Sequence, residues 1–197
     1  MLGDKKLFLL DIDGTICKGN QLIGGTKEFL SDIEKNGGKY IFITNNVTRS
    51  IDDYILFFQQ LGIMTNHSNF LTASYATVYY LKKYHPGELI YVMRELKKNK
   101  IRVTTDGEDE EISCVLISYD NQLTYEKISD TCRLLSTKKV DYLATNPDYV
   151  CPIEFGYVPD CGAICEMLNH AIKRMPHFIG KPEPDMVELA ISRNNYR

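Results

Sequence analysis

Leu7-Phe8-Leu9-Leu10-Asp11-Ile12-Asp13-Gly14-Thr15, near the start of the chain, joins an apolar run to a pair of carboxylates. Four apolar residues in a row predict a strand buried on both faces, as at the centre of a parallel sheet, and the run stops at two carboxylates. Ligands of open α/β sheets sit beyond the carboxyl ends of the strands. Residues two apart in extended backbone point the same way, so Asp11 and Asp13 face one small volume, and Gly14 lets the chain turn sharply behind them. Two like charges that close call for a cation, or for a proton on one of them. Asp and Gly are also ordinary turn residues, so the stretch alone is compatible with a solvated turn after a core strand.

Downstream, Lys39-Tyr40-Ile41-Phe42-Ile43 predicts a second buried strand, ending in Thr44-Asn45-Asn46. Between the two strands a helix is expected from Thr26, as its N-cap, to about Asn36, with Phe29, Leu30 and Ile33 at helical spacing and Gly37-Gly38 as the stop. Strand, helix and strand make a βαβ unit whose crossover is right-handed, so the strands run parallel. Thr44 then lies at the carboxyl end of a neighbouring strand, and its hydroxyl can meet the pocket that Asp11 enters. A hydroxyl and nearby backbone N–H groups hold a phosphate oxygen without adding charge. The same residues would also serve as the cap of a helix that begins near Ser50 and spans about 52–61.

The chain of 197 residues can bury a sizeable core, and 44% hydrophobic with 25% charged residues is the composition of a soluble globular protein. With 23 basic and 26 acidic residues the net charge is −3, which gives no basic field for nucleic acid. No apolar run approaches the ~20 residues needed to span a bilayer, and the start of the chain is too short for a signal peptide, so a cytoplasmic protein without membrane partners is expected. Six cysteines scattered without a Cys-x-x-Cys pair suit free thiols in a reducing compartment better than a zinc site.

His85-Pro86-Gly87 breaks the pattern and is read as a hinge. From Glu88 the alternation restarts: strands over 89–93, 101–103, 114–118 and 142–145, helices over 95–99 and 125–136. This is a second small α/β unit inserted into the first. Asn146-Pro147-Asp148 follows a strand, and Pro159-Asp160-Cys161-Gly162-Ala163 opens a helix running to about Arg174. Strand ends favour ligands and helix N-termini favour anions, so Asn146, Asp148 and Gly162 are candidates for covering a phosphorylated substrate, although turn chemistry explains each of them singly. His177-Phe178-Ile179 predicts a strand returning to the first sheet, followed by Gly180-Lys181-Pro182, where a lysine would hold negative groups near each other. The expected divisions are 1–86, 87–176 and 177–197.

In this order and spacing, Asp11-Ile12-Asp13-Gly14-Thr15, Thr44-Asn45-Asn46, Ala144-Thr145-Asn146-Pro147-Asp148, Gly162-Ala163 and Gly180-Lys181-Pro182 resemble the NagD or 4-nitrophenylphosphatase branch of the haloacid dehalogenase superfamily. The resemblance covers nearly the whole chain. It implies an α/β fold: a three-layer, Rossmann-like core on a parallel sheet, with an inserted α/β cap of the C2 type. It also implies a Mg²⁺-dependent phosphatase acting on small phosphate monoesters such as nucleotides, sugar phosphates or 4-nitrophenyl phosphate. Asp11 becomes the nucleophile that forms an aspartyl phosphate, and a metal ligand. Asp13 becomes the general acid/base, touching the metal through its backbone carbonyl. Thr44, Asn45 and Lys181 become the phosphate-binding residues. Phosphoryl transfer requires such parts: an in-line nucleophile, a metal, positive groups around the equatorial oxygens and an acid for the leaving alkoxide.

The family pattern continues to a further strand ending in Gly-Asp, with another Asp nearby, that completes the metal site; this sequence ends at Arg197. A truncated enzyme is therefore expected, with weakened Mg²⁺ binding and activity in doubt, since Mg²⁺ demands octahedral oxygen coordination. The helix over 184–193 is expected to lose the cover of its apolar face, inviting a homodimer. The alternative expectation is a non-catalytic module that binds a phosphate ligand in a fold of this type.

Overall fold

The computed structural model describes residues 5–93, 100–153 and 155–194. The helix expected over 95–99 lies outside the described residues. In chain order the elements are β1 (Leu7–Asp11), β2 (Cys17–Lys18), β3 (Gln21–Leu22), α1 (Thr26–Lys35), β4 (Lys39–Thr44), α2 (Ile51–Gln60), β5 (Phe70–Thr72), α3 (Ala73–Tyr84), β6 (Leu89–Val92), β7 (Arg102–Thr104), β8 (Ile112–Ile117), α4 (Tyr125–Thr137), β9 (Asp141–Ala144), β10 (Val150–Ile153), β11 (Gly156–Pro159), α5 (Cys161–Ile172), β12 (His177–Phe178) and α6 (Pro184–Arg193). Two compact units result, one from Met1–Thr72 with Met186–Arg197 and one from Ala73–Asp185. These divisions fall at 72/73 and 185/186, where the sequence suggested 86/87 and 176/177.

The first unit holds a parallel sheet in the order β1-β4-β5. β1 pairs with β4 from Leu7↔Lys39 to Asp11↔Ile43, and β4 pairs with β5 up to Thr44↔Thr72. The expectation of a central, fully buried β1 is corrected: among the described residues it is an edge strand, and all five of its residues are only half-buried. β4, with a partner on each side, takes the central place, and its Tyr40, Ile41 and Phe42 are buried. Phe42, Phe58 and Phe70 form the aromatic centre of this unit, with ring centroids 4.5 Å (Phe42–Phe58), 5.4 Å (Phe42–Phe70) and 5.5 Å (Phe58–Phe70) apart. α1 is capped by Gly25, at φ 86° and with no side-chain bond, and not by Thr26. Thr26 is buried and donates its hydroxyl to the Ile16 carbonyl. In α6, Met186, Leu189 and Ala190 are buried and Val187 is exposed, so the expected broad apolar face is reduced to little more than one side chain. Arg193 fastens the end of that helix by donating to the carbonyls of Phe70 (3.1 Å) and His67 (3.3 Å).

The second unit is built on a five-stranded sheet in the order β12-β9-β8-β6-β7, every pairing parallel. Its core joins Tyr91, Val115 and Ile117 of the sheet to Leu134 and Leu135 of α4 and to Ile164, Cys165 and Leu168 of α5. The strand at His177–Phe178 is a correction. It does not return to the first sheet but pairs with β9 (His177↔Leu143, Phe178↔Ala144), and Phe178 packs on the second unit's core. A short apolar strand carries no mark of which sheet it joins; the open edge beside β9 decides it. Two hairpins, β2 with β3 and β10 with β11, went unread because the first has two-residue strands and the second carries Pro152.

Candidate active site

The parallel register of β1 and β4 brings Asp11 and Thr44 to the same end of neighbouring strands. Beyond Asp11 the chain turns at once. The Ile12 carbonyl accepts from the N–H groups of Ile16 (3.0 Å) and Cys17 (2.9 Å), and the Gly14 N–H donates to the Cys17 carbonyl at 2.7 Å. Gly14 sits at φ 82°, a conformation that disfavours a side chain. This winding keeps Asp11 half-buried, with one carboxylate oxygen accepting from the Ile12 N–H at 2.9 Å, and leaves Asp13 exposed on the same turn.

Thr44 is only 2% exposed, and its hydroxyl oxygen accepts from the Asn46 N–H at 3.0 Å. Asn45 is buried beside it. The Asn46 side chain closes the following turn by accepting from the Thr48 N–H (2.9 Å) and hydroxyl (2.6 Å). The chain then enters α2 through a reciprocal cap: Ser50 accepts from the Asp53 N–H, and the Asp53 carboxylate accepts from Ser50, which holds the Asp53 carboxyl below its usual range.

Two residues here were passed over in the sequence because they sit where helix-entry and core residues are ordinary. Arg49 lies over the Phe57 ring, 4.7 Å from its centroid, and 5.9 Å from that of Tyr54. Tyr54 is in the first turn of α2, its ring stacked on Phe70 at 5.7 Å. The charges converge at this end of the sheet. Burial and the Asp13 carboxylate push the Cys17 thiol up to about 11 while Arg49 opposes them. Burial also pushes the Tyr54 phenol up to about 12; Thr44 and Arg49 act against this, and the charges of Asp13 and Asp11 act with it.

Asp11 and Asp13 together offer a carboxylate pair in one turn. A magnesium-type ion keeps several of its waters and is commonly held by one or two carboxylates plus substrate phosphate, so this donor set suits such an ion. Among the described residues no three His, Cys, Asp or Glu side chains converge.

The remaining candidates lie in the second unit. Lys181 follows β12 in the turn closed by the Glu183 N–H on the Gly180 carbonyl (3.0 Å). Asn146, Asp148 and Gly162 are brought together. Asn146 is fully buried, donating to the Thr145 hydroxyl at 3.3 Å and accepting from the Asp148 N–H at 3.0 Å, so its amide builds the loop. Gly162 donates its N–H to the Asp148 carbonyl at 2.8 Å, and a Cβ there would run into the Pro147 carbonyl oxygen. Asp160, not singled out from the sequence, caps α5 by accepting from the Cys161 N–H at 2.6 Å. Burial raises its carboxyl above the usual range, and the neighbouring Asp148 adds to the rise.

The sequence model of the haloacid dehalogenase-like hydrolases matches residues 8–104. An acid sugar phosphatase of Staphylococcus saprophyticus is 30% identical over 190 residues, covering 94% of this chain and 73% of that protein. The structure of a 4-nitrophenylphosphatase from Thermotoga maritima superposes with a TM-score of 0.88 at 29% identity, over 100% of this chain and 76% of the other. A p-nitrophenyl phosphatase from Archaeoglobus fulgidus gives 0.86 at 26% identity, over 98% and 75%. A structure described as a nagD protein gives 0.89 at 27% identity, over 100% and 79%. With this likeness added to the two aspartates and the threonine at matched strand ends, the chain belongs to the haloacid dehalogenase-like hydrolases, in their NagD-like branch.

Proposed function

We propose that the chain is a phosphatase that hydrolyses small phosphate monoesters through a phosphoryl group carried on Asp11. The observation that carries this reading is the juxtaposition of Asp11 with Thr44 at the ends of paired parallel strands. Sugar phosphates are the favoured class within it, because curated relatives are named acid sugar phosphatases.

In the first half-reaction an Asp11 carboxylate oxygen attacks phosphorus in line with the ester oxygen. The bond from phosphorus to that oxygen breaks, and Asp13 gives its proton to the leaving alkoxide. In the second, Asp13 takes a proton from water as the water oxygen attacks the phosphorus of the acyl phosphate. Inorganic phosphate leaves, and Asp11 is again a carboxylate. Thr44 and Asn45 hold phosphate oxygens as neutral donors, and Lys181 supplies positive charge. Asp11 and the backbone carbonyl of Asp13 would hold Mg²⁺, which when bound neutralises charge on the transferring group. The choice among esters is assigned to the second unit, where Asp148 lies on the loop that follows β9. A cytoplasmic setting suits buried thiols such as those of Cys17 and Cys114.

The test is acid quenching after mixing with a substrate labelled in its phosphate. A phosphoprotein formed by the wild-type chain and absent from Asp11→Asn supports the reading. Label retained by Asp11→Asn overturns it.

A further inference from the structure

The Tyr54 side chain is 1% exposed, yet its hydroxyl has no hydrogen-bond partner among the described residues. Buried polar groups in folded chains are almost always paired, so each exception asks for a use. The ring cannot swing away to find a partner: Phe70 stacks on one face and Arg49 lies near the ring. The groups that act on the hydroxyl are Thr44, Asp13, Arg49 and Asp11, which come from the ends of β4 and β1 and from the loop into α2. Tyr54 therefore lies within electrostatic reach of the proposed nucleophile and of Thr44.

The hydrogen-bonding capacity of Thr44 shows what such a hydroxyl can do. A threonine oxygen has one proton to donate and two lone pairs. One lone pair takes the Asn46 N–H at 3.0 Å. If a second donor occupies the other, the threonine proton is left to point outward, to a phosphate oxygen. We infer that Tyr54 is a positioning residue for phosphate binding: when the Thr44 hydroxyl donates to a phosphate oxygen, the Tyr54 hydroxyl donates to the second lone pair of Thr44. Chained hydroxyl donors polarise one another, so the threonine becomes a stronger donor to the anion. The phenol is pushed up to about 12, so it stays protonated and able to donate throughout the neutral range. This inference rests on the phosphatase reading and adds to it a residue that does not itself touch the phosphate.

The experiment measures binding of inorganic phosphate, by calorimetry with Mg²⁺ present, to the wild-type chain, Tyr54→Phe, Thr44→Val and the double variant, together with kcat/KM on 4-nitrophenyl phosphate and the melting temperature. Loss of one neutral hydrogen bond predicts phosphate binding about three- to tenfold weaker in Tyr54→Phe, with kcat/KM falling by a similar factor. The melting temperature should rise by about 2–4 °C, because an unpaired buried hydroxyl has been removed. The double variant should bind phosphate no more weakly than Thr44→Val, since the tyrosine acts through the threonine. Tyr54→Phe binding phosphate as the wild type does, or effects of the two substitutions that multiply, would overturn this inference alone. A wild-type chain that takes up no phosphate would overturn the function reading and the inference together.

Discussion

Gly162 has no side chain because the Pro147 carbonyl occupies the space where one would be, and the Asp148 carbonyl oxygen is 2.8 Å from the same point. Gly162→Ala must displace the 146–148 loop or the first turn of α5. The expected cost is about 1–3 kcal/mol, the range of overpacking, read as a lower urea midpoint. The effect of Glu88 depends on pH. His85 Nδ1 (2.9 Å) and the Ser113 hydroxyl (2.8 Å) bond its carboxylate and pull its pKa below the ordinary 4.5. A carboxyl whose pKa is lowered by folding stabilises the fold above its unfolded pKa and loses that contribution as pH falls through the folded value. Acidification from about pH 6 to about pH 3.5 should thus lower the urea midpoint of the wild type more than that of Glu88→Gln. The residues that the sequence offers as a site, Asp11, Asp13, Thr44 and Lys181, stand out because each lies at or just beyond the end of a strand. Tyr54 and Arg49 were not legible, because an aromatic and an arginine at a helix start ordinarily pack and solvate, and only the folded chain brings Tyr54 within electrostatic reach of Asp13 and lays Arg49 over Phe57.

At the scale of elements, α2 depends on its entry. Ser50→Ala removes the hydroxyl that accepts from the Asp53 N–H, while the residue 50 backbone N–H still donates to the Asp53 carboxylate, and should cost about 0.5–2 kcal/mol, measured by denaturant unfolding. Parallel strands and amphipathic helices were legible throughout, since buried runs such as Tyr40-Ile41-Phe42 and spacings such as Leu30 with Ile33 are imposed by the core. Placement of strands within sheets was less so. Leu7-Phe8-Leu9-Leu10 has the apolar run of a central strand yet stands at an edge among the described residues, and Phe178 joins β9 in the second sheet. Both outcomes are set by neighbours distant in sequence, which a local pattern does not encode.

At the scale of the molecule, each unit has its own apolar core, one around Phe42, Phe58 and Phe70 and one around Val115, Leu134 and Leu168. Phe58→Ala and Leu134→Ala, both at fully buried positions, should cost about 3–5 and 2–5 kcal/mol in calorimetric unfolding. The proposed acceptor Asp11 lies on the first unit, and the proposed phosphate-binding Lys181 and selecting loop lie on the second. The order of motifs suggests the first of these readings; the second depends on loop surfaces whose chemistry the buried Asn146 and Gly162 do not set. The most direct test is the rate of 4-nitrophenolate release from 4-nitrophenyl phosphate with Mg²⁺, compared between the wild-type chain and Asp11→Asn at matched folded content. Turnover in the wild type with a loss of at least about a thousandfold in Asp11→Asn is predicted, the size of effect expected when a covalent nucleophile is removed. Equal, measurable rates in the two chains would contradict Asp11 as the phosphoryl acceptor.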